Sequence, residues 1–172
     1  KNRLEFCTKA DKLNIKSSNY YELTNPASYG NPDIKSLFKS EDLFDEAKEL
    51  FHKGEILAFE LGIICKNKKD DTDNIDDSFL VYIQKDNDLD RADESYIRDG
   101  LTIIDEKHVR ATGVRALVLA EDNKGGTNIS TFLGDAETPA HNKWSPSTKH
   151  FKNKYSRGAS VLKYIQKSAA NI

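Results

Sequence analysis

Glu55-Ile56-Leu57-Ala58-Phe59-Glu60-Leu61-Gly62-Ile63-Ile64-Cys65 is an apolar, isoleucine-rich run closed on either side by Gly54 and Lys66. Its composition and polar borders read as a β-strand. Residues 78–84 (SFLVYIQ) repeat that character and read as its neighbour. Between them, residues 66–77 (KNKKDDTDNIDD) cannot bury enough apolar area to hold a fixed shape, so the two runs read as a hairpin with a flexible loop. Residues 114–120 (VRALVLA) form the most continuous apolar run and read as a central strand, although a short apolar run by itself does not exclude a buried helix. Residues 95–104 (SYIRDGLTII) supply one more strand, with Asp99-Gly100 inside it as a bulge or tight bend that re-aims Arg98.

Helices are expected on both sides of these strands. Over residues 36–52, Leu37, Phe38, Phe44, Ala47, Leu50 and Phe51 fall near helical spacing. Glu41, Asp42, Asp45 and Glu46 load the early turns of that stretch as a solvated face, and Gly54 stops it. Residues 1–35 read as an irregular N-terminal arm punctuated at Asn25-Pro26, Tyr29-Gly30 and Asn31-Pro32, with one short strand near residues 20–23. From Pro146 to Ile172 one or two helices are expected, the last carrying Val161, Leu162, Ile165 and Ala169 on one face. The prediction is a single α+β domain over 1–172, with the globular body at 36–172. Its central mixed or antiparallel sheet has a helix before it and helices at the C-terminus.

The 26 Lys and Arg against 28 Asp and Glu give a net charge of −2, which argues against a whole surface built for nucleic acid or anionic lipid. No apolar run approaches the length of a membrane helix, so no membrane contact is expected. Cys7 and Cys65 have no CxxC or finger-type spacing and read as reduced thiols of a cytoplasmic protein. Methionine is absent. The expectation is a fragment of a larger polypeptide, or a sequence from which methionine positions are missing.

For chemistry, the densest stretch is Gly134-Asp135-Ala136-Glu137-Thr138-Pro139-Ala140-His141-Asn142-Lys143-Trp144, which reads as a turn into a helix start. Two readings of it stand. In one, Asp135, Glu137 and His141 form the centre of a metal-dependent hydrolase or nuclease, since carboxylate and imidazole ligands suit divalent ions. In the other, Glu137 and Thr138 cap a short helix opened by Pro139, His141 bonds a backbone carbonyl, and Trp144 packs on the core.

Other signals are weaker. Asp71, Asp73 and Asp76 offer oxygens to calcium, but their loop lacks the glycine and terminal glutamate of a calcium-binding loop. Gly125-Gly126 has no following lysine-serine or lysine-threonine pair and reads as a plain turn. There is no GxSxG elbow. Residues 149–157 interleave Lys149, Lys152, Lys154 and Arg157 with aromatics, as nucleic-acid surfaces do, and also as a solvated helix face does when it buries its aromatics.

Tyr96-Ile97-Arg98-Asp99-Gly100-Leu101 and Glu137-Thr138-Pro139-Ala140-His141-Asn142-Lys143-Trp144 together resemble the region that follows the ATPase domain in bacterial GHKL-superfamily proteins, the gyrase, Hsp90, histidine-kinase and MutL type. The resemblance spans residues 55–170. It implies a non-catalytic coupling or interaction domain in which Arg98, Gly100, Glu137, Pro139, His141 and Trp144 structure an interface. It also implies ATP and Mg in a neighbouring domain, a basic residue (Arg98 or Arg115) directed at the nucleotide phosphates, and a setting in nucleic-acid transactions or phage defence. The chain has no ExxxNxxDA, DxGxG or second glycine box, so ATP hydrolysis is not assigned to these residues and no cofactor is expected in the chain itself.

Overall fold

The computed structural model describes residues 2–121 and 128–172. Strands β2 (Leu57–Asn67) and β3 (Ile75–Lys85) form the expected hairpin, in antiparallel register from Leu57 opposite Ile83 to Cys65 opposite Ile75. Both strands run further into the polar stretch than its composition suggests. Ile75 is fully buried, and Asn67 and Asp77 are buried polar residues, so only residues 68–74 remain as loop. That loop is tied by its own side chains. Asp70 Oδ1 accepts from the Thr72 amide at 2.9 Å, and Asn74 Nδ2 donates to the Asp71 carbonyl at 2.7 Å.

The sheet order is β1-β2-β3-β6-β4-β5, with β7 (Tyr155–Ser156) pairing the far end of β2. β6 (Val114–Ala120) is central as expected, antiparallel to β3 and parallel to β4 (Asp93–Arg98). β1 (Tyr20–Glu22) lies parallel to β2, so the sheet is mixed. Residues 95–104 are a hairpin and not one kinked strand. Asp99 (φ 46°) and Gly100 (φ 76°) both occupy the left-handed region, which makes the two-residue turn between β4 and β5 (Leu101–Thr102).

Period-two alternation sorts the sheet into two faces. Leu57, Phe59, Leu61 and Ile63 of β2 join Phe79, Val81 and Ile83 of β3 in the larger core. Residues of α2 (Glu41–His52), α3 (Ile129–Ala136), α4 (Lys149–Lys154) and α5 (Gly158–Asn171) complete it. On the other face Ala58, Tyr82 and Leu117 meet Phe6 and Ala10 of a helix, α1 (Asn2–Ala10). The reading of residues 1–35 as an irregular arm therefore fails at its start. Phe6 and Ala10 stand one turn apart, too short a stripe to register as periodicity, and the sheet face supplies what the sequence lacks. The expected short strand is β1.

α2 begins later than its apolar spacing suggests, because the Ser40 hydroxyl accepts from the Leu43 amide and sets the helix start. Ile34–Leu37 is a separate 3-10 turn. The helix ends as expected at Gly54 (φ 81°), where the Glu55 amide reaches back to the Leu50 carbonyl. The C-terminal stretch divides into α4 and α5 around β7 and Arg157, whose φ is 56°. The turn expected across residues 121–128, with Gly125-Gly126, falls largely outside the described residues.

The flank of the sheet is locked by charge. Arg115 is 4% exposed; its Nη2 donates to Asp86 Oδ2 at 2.7 Å and its Nη1 donates to Asp93 Oδ2. The guanidinium hydrogen bond holds the Asp86 carboxyl below its usual range. Arg115→Ala is expected to cost about 3–5 kcal/mol in urea unfolding, because it leaves two carboxylates facing each other across an emptied site. Cys65 is 2% exposed and burial pushes its thiol up to about 11, whereas Cys7 is only half-buried. A thiol reagent applied near neutral pH should therefore label Cys7 in the native protein and Cys65 only after denaturant is added.

Candidate functional site

α3 connects the sheet to the densest functional stretch. Asn128 caps it by accepting from the Thr131 amide at 2.9 Å, and the Ile129 amide donates to Asp77 Oδ2 of β3 at 3.1 Å. Ile129, Phe132, Leu133 and Ala136 are fully buried, a helical stripe spaced three, one and three residues apart. The stretch from Gly134 to Trp144 therefore opens at the end of a helix, not at the start of one. Glu137 is extended (φ −70°, ψ 135°), and no helix opens at Pro139. Pro139 instead sits in a turn closed by the His141 amide on the Thr138 carbonyl at 2.8 Å, with His141 at φ 54°. The chain then doubles back, pairing Glu137 with Trp144 across an antiparallel bridge.

This return brings Glu137 against Arg98, the last residue of β4. Arg98 Nε donates to Glu137 Oε2 at 2.9 Å, and Nη1 lies 3.4 Å from Ser130 Oγ and 3.6 Å from Asp99 Oδ2. A Cβ on Gly134 would stand 3.6 Å from Arg98 Nη1, an ordinary van der Waals contact, so the guanidinium lies directly against α3. The Glu137 side chain is 3% exposed, and its other oxygen, Oε1, lies 2.6 Å from Nδ1 of His141. His141 thus bonds a carboxylate, not a backbone carbonyl. The result is a line of guanidinium, buried carboxylate and exposed imidazole. Such a line sets an exposed imidazole and a guanidinium fork on the two oxygens of one buried carboxylate.

Asp135 does not join it. Its Oδ2 accepts from Tyr155 Oη at 2.7 Å and Lys154 Nζ at 3.1 Å, and its Oδ1 lies 3.1 Å from His150 Nε2. Residues two apart at the end of a helix project to different sides, which separates Asp135 from Glu137. Among the described residues no group of three or more His, Cys, Asp or Glu could hold a metal ion, including the aspartates of loop 68–74. Arg115, the other candidate for phosphate contact, is consumed by Asp86 and Asp93. Gly100 serves the β4–β5 turn.

Trp144 packs on the core as expected, 3% exposed and edge-on to Tyr96. What holds it carried no local signal in the sequence. Its amide donates to Glu106 Oε1 at 2.7 Å, and Gln166 Nε2 of α5 donates both to Glu106 Oε1 and to the Trp144 carbonyl at 3.1 Å. Glu106 is 2% exposed and also meets His108 Nε2 at 2.5 Å. Glu94, equally buried, accepts from the Val109 amide with both oxygens. These carboxylates lie in charged, aperiodic sequence, where nothing distinguishes a buried acid from a solvated one.

No family model, curated protein or solved structure matches the chain. Among the described residues no helix is long and apolar enough to cross a membrane.

Burial by itself would raise the Glu106 pKa, but donation from His108, the Trp144 amide and Gln166 outweighs it and leaves the carboxyl below its ordinary 4.5. Its contribution to stability is then fully present above about pH 4.5 and is lost as pH falls through the lowered folded-state value. Glu106→Gln should lower the urea midpoint near neutral pH and flatten its acid-side decline. Unfolding curves collected from neutral pH down into the acid range check both.

Proposed function

We propose that this chain is a non-catalytic coupling domain of a bacterial GHKL-type ATPase, acting in nucleic-acid transactions such as defence against foreign DNA. The observation that carries the reading is the Arg98–Glu137 ion pair. It joins the two separate stretches on which the resemblance rests, at 2.9 Å, across 39 positions of sequence. Arg98 is the residue suited to meet nucleotide phosphates, because its side chain is still 20% exposed whereas Arg115 is sealed by two aspartates. In this reading ATP and Mg sit in a neighbouring domain. A γ-phosphate approaching Arg98 competes with Glu137 for the guanidinium fork, and arginine–phosphate pairs are strong and directional. Glu137, released on one side, keeps its hydrogen bond to His141. The β4–β5 turn and the Pro139 turn that carry these groups then respond to the presence of the phosphate as one interface.

The polypeptide encoded by the gene is expected to hydrolyse ATP. Arg98→Ala is expected to slow turnover about 10- to 100-fold, the loss of one charge-assisted hydrogen bond. Arg98→Lys, which keeps the charge beside Glu137 but loses the fork, should also be slow while unfolding at the wild-type urea midpoint. A gene product that neither binds nor hydrolyses ATP overturns the reading, and so does an Arg98→Lys enzyme with wild-type turnover.

A further inference from the structure

Two basic runs lie 80 positions apart in sequence, Lys66 to Lys69 and Lys149 to Arg157, and the fold seats them against each other. β7 pairs with the end of β2, Lys66 opposite Ser156 and Asn67 opposite Tyr155. The Lys68 amide then donates to the Lys154 carbonyl at 2.7 Å, and Lys68 Nζ donates to the Lys152 carbonyl at 2.8 Å. Between the hairpin end and α4 runs an open cleft of about 540 Å³, lined by Asn67, Lys69, Lys149, His150, Asn153 and Lys154. Among the described residues no carboxylate lines it.

The cations divide into two kinds. Lys154 is a strut, 3.1 Å from Asp135 and 3.8 Å from Asp73. Lys68, Lys69 and Lys149 are exposed and have no carboxylate partner among the described residues. No ion pair among the described residues engages their ammonium groups, and backbone pairing between the two walls holds them in place before any ligand arrives. Asp73 accepts from Asn67 and Asp135 from Tyr155, while Asp70 and Asp71, which follow Lys69 in the hairpin loop, are exposed. The aromatics that alternate with these cations are out of reach, since Phe151 is 1% exposed and Tyr155 2%. Stacking on bases is thus absent from the cleft, while amide and ammonium donors for phosphate oxygens are present. Lys68 is not itself a lining residue but sits between Asn67 and Lys69, which are, with its Nζ on the Lys152 carbonyl; Lys152 and Arg157 are exposed and lie outside the lining.

We propose that this cleft binds the sugar–phosphate backbone of a nucleic acid, without sequence preference, through Lys68, Lys69 and Lys149. A polyphosphate strand suits the site better than a single anion, because the ammonium groups of Lys69 and Lys149 come from the two separate walls of the opening. With three phosphates neutralised, affinity should fall about 20- to 40-fold between 50 and 200 mM salt. The proposal is independent of the ATPase reading, since the cleft uses none of Arg98, Glu137 or His141.

Fluorescence anisotropy of labelled single-stranded and duplex oligonucleotides of two unrelated sequences tests it, with anionic phospholipid vesicles and inorganic phosphate as competitors. The wild-type chain is expected to bind both sequences equally, with the stated salt dependence. Lys68→Gln/Lys69→Gln/Lys149→Gln is expected to bind at least 10-fold more weakly with an unchanged circular dichroism spectrum. Lys12→Gln/Lys16→Gln/Lys48→Gln, which removes the same charge from exposed lysines elsewhere, should bind like wild type. Absence of binding at low salt overturns the proposal. Equal loss in the two triple variants does so too, since it would indicate net charge alone. Equal displacement by vesicles or phosphate overturns it as well.

Discussion

The register of β2 against β3 is the constraint on which the other features of this fold depend. With Leu57 opposite Ile83 and Cys65 opposite Ile75, the alternate residues of both strands face the helices together. A slip of β3 by one position would turn Phe79, Val81 and Ile83 away from the face that Phe59 and Leu61 share and bring Asp76 and Ser78 toward the core. The same register carries β2 out to Asn67, where it can pair with β7, and sets Asp77 where its carboxylate accepts from the first amide of α3. Helix position, the return of the chain at Trp144 and the joining of the two basic runs all follow from that pairing.

Around this apolar hairpin the molecule makes unusual use of buried charge. Arg115 joins Asp86 and Asp93, Glu106 gathers Trp144, Gln166 and His108, and Glu137 holds Arg98 and His141. Each unit ties two or more segments of chain that have little apolar surface of their own. A buried ion pair adds little net stability compared with apolar residues of the same shape, but losing one partner is costly. Such pairs therefore constrain which loops lie where more than they strengthen the core. Arg98, 20% exposed, is more open than Arg115, which is 4% exposed.

The strands and the C-terminal helices were legible because each rests on composition and spacing within a few residues. Gly54 as a helix stop and Asp99-Gly100 as a change of direction were legible for a related reason, since each depends on a single backbone conformation. The end of α3 was hidden, although its stripe of Ile129, Phe132, Leu133 and Ala136 is present, because the ionisable residues and proline that follow it are of the types that also open a helix. α1 was hidden by the shortness of its apolar face. Glu106 and Glu94 offered no pattern at all, since burial is a property of what surrounds a carboxylate and not of its neighbours in sequence.

The sequence by itself determined that this chain builds an α+β domain around a central sheet, with a helix before it and helices at the C-terminus. Those outcomes follow from local periodicity, turn chemistry and apolar area. Only the tertiary structure decided that Arg98 meets Glu137 while Asp135 turns away to Tyr155 and Lys154, and that Lys69 faces Lys149 across a cleft. Those contacts depend on strand order, with β6 inserted between β3 and β4 and β7 added to the end of β2. Strand order is set by how the whole apolar surface is covered at once, a condition that no short stretch of residues contains.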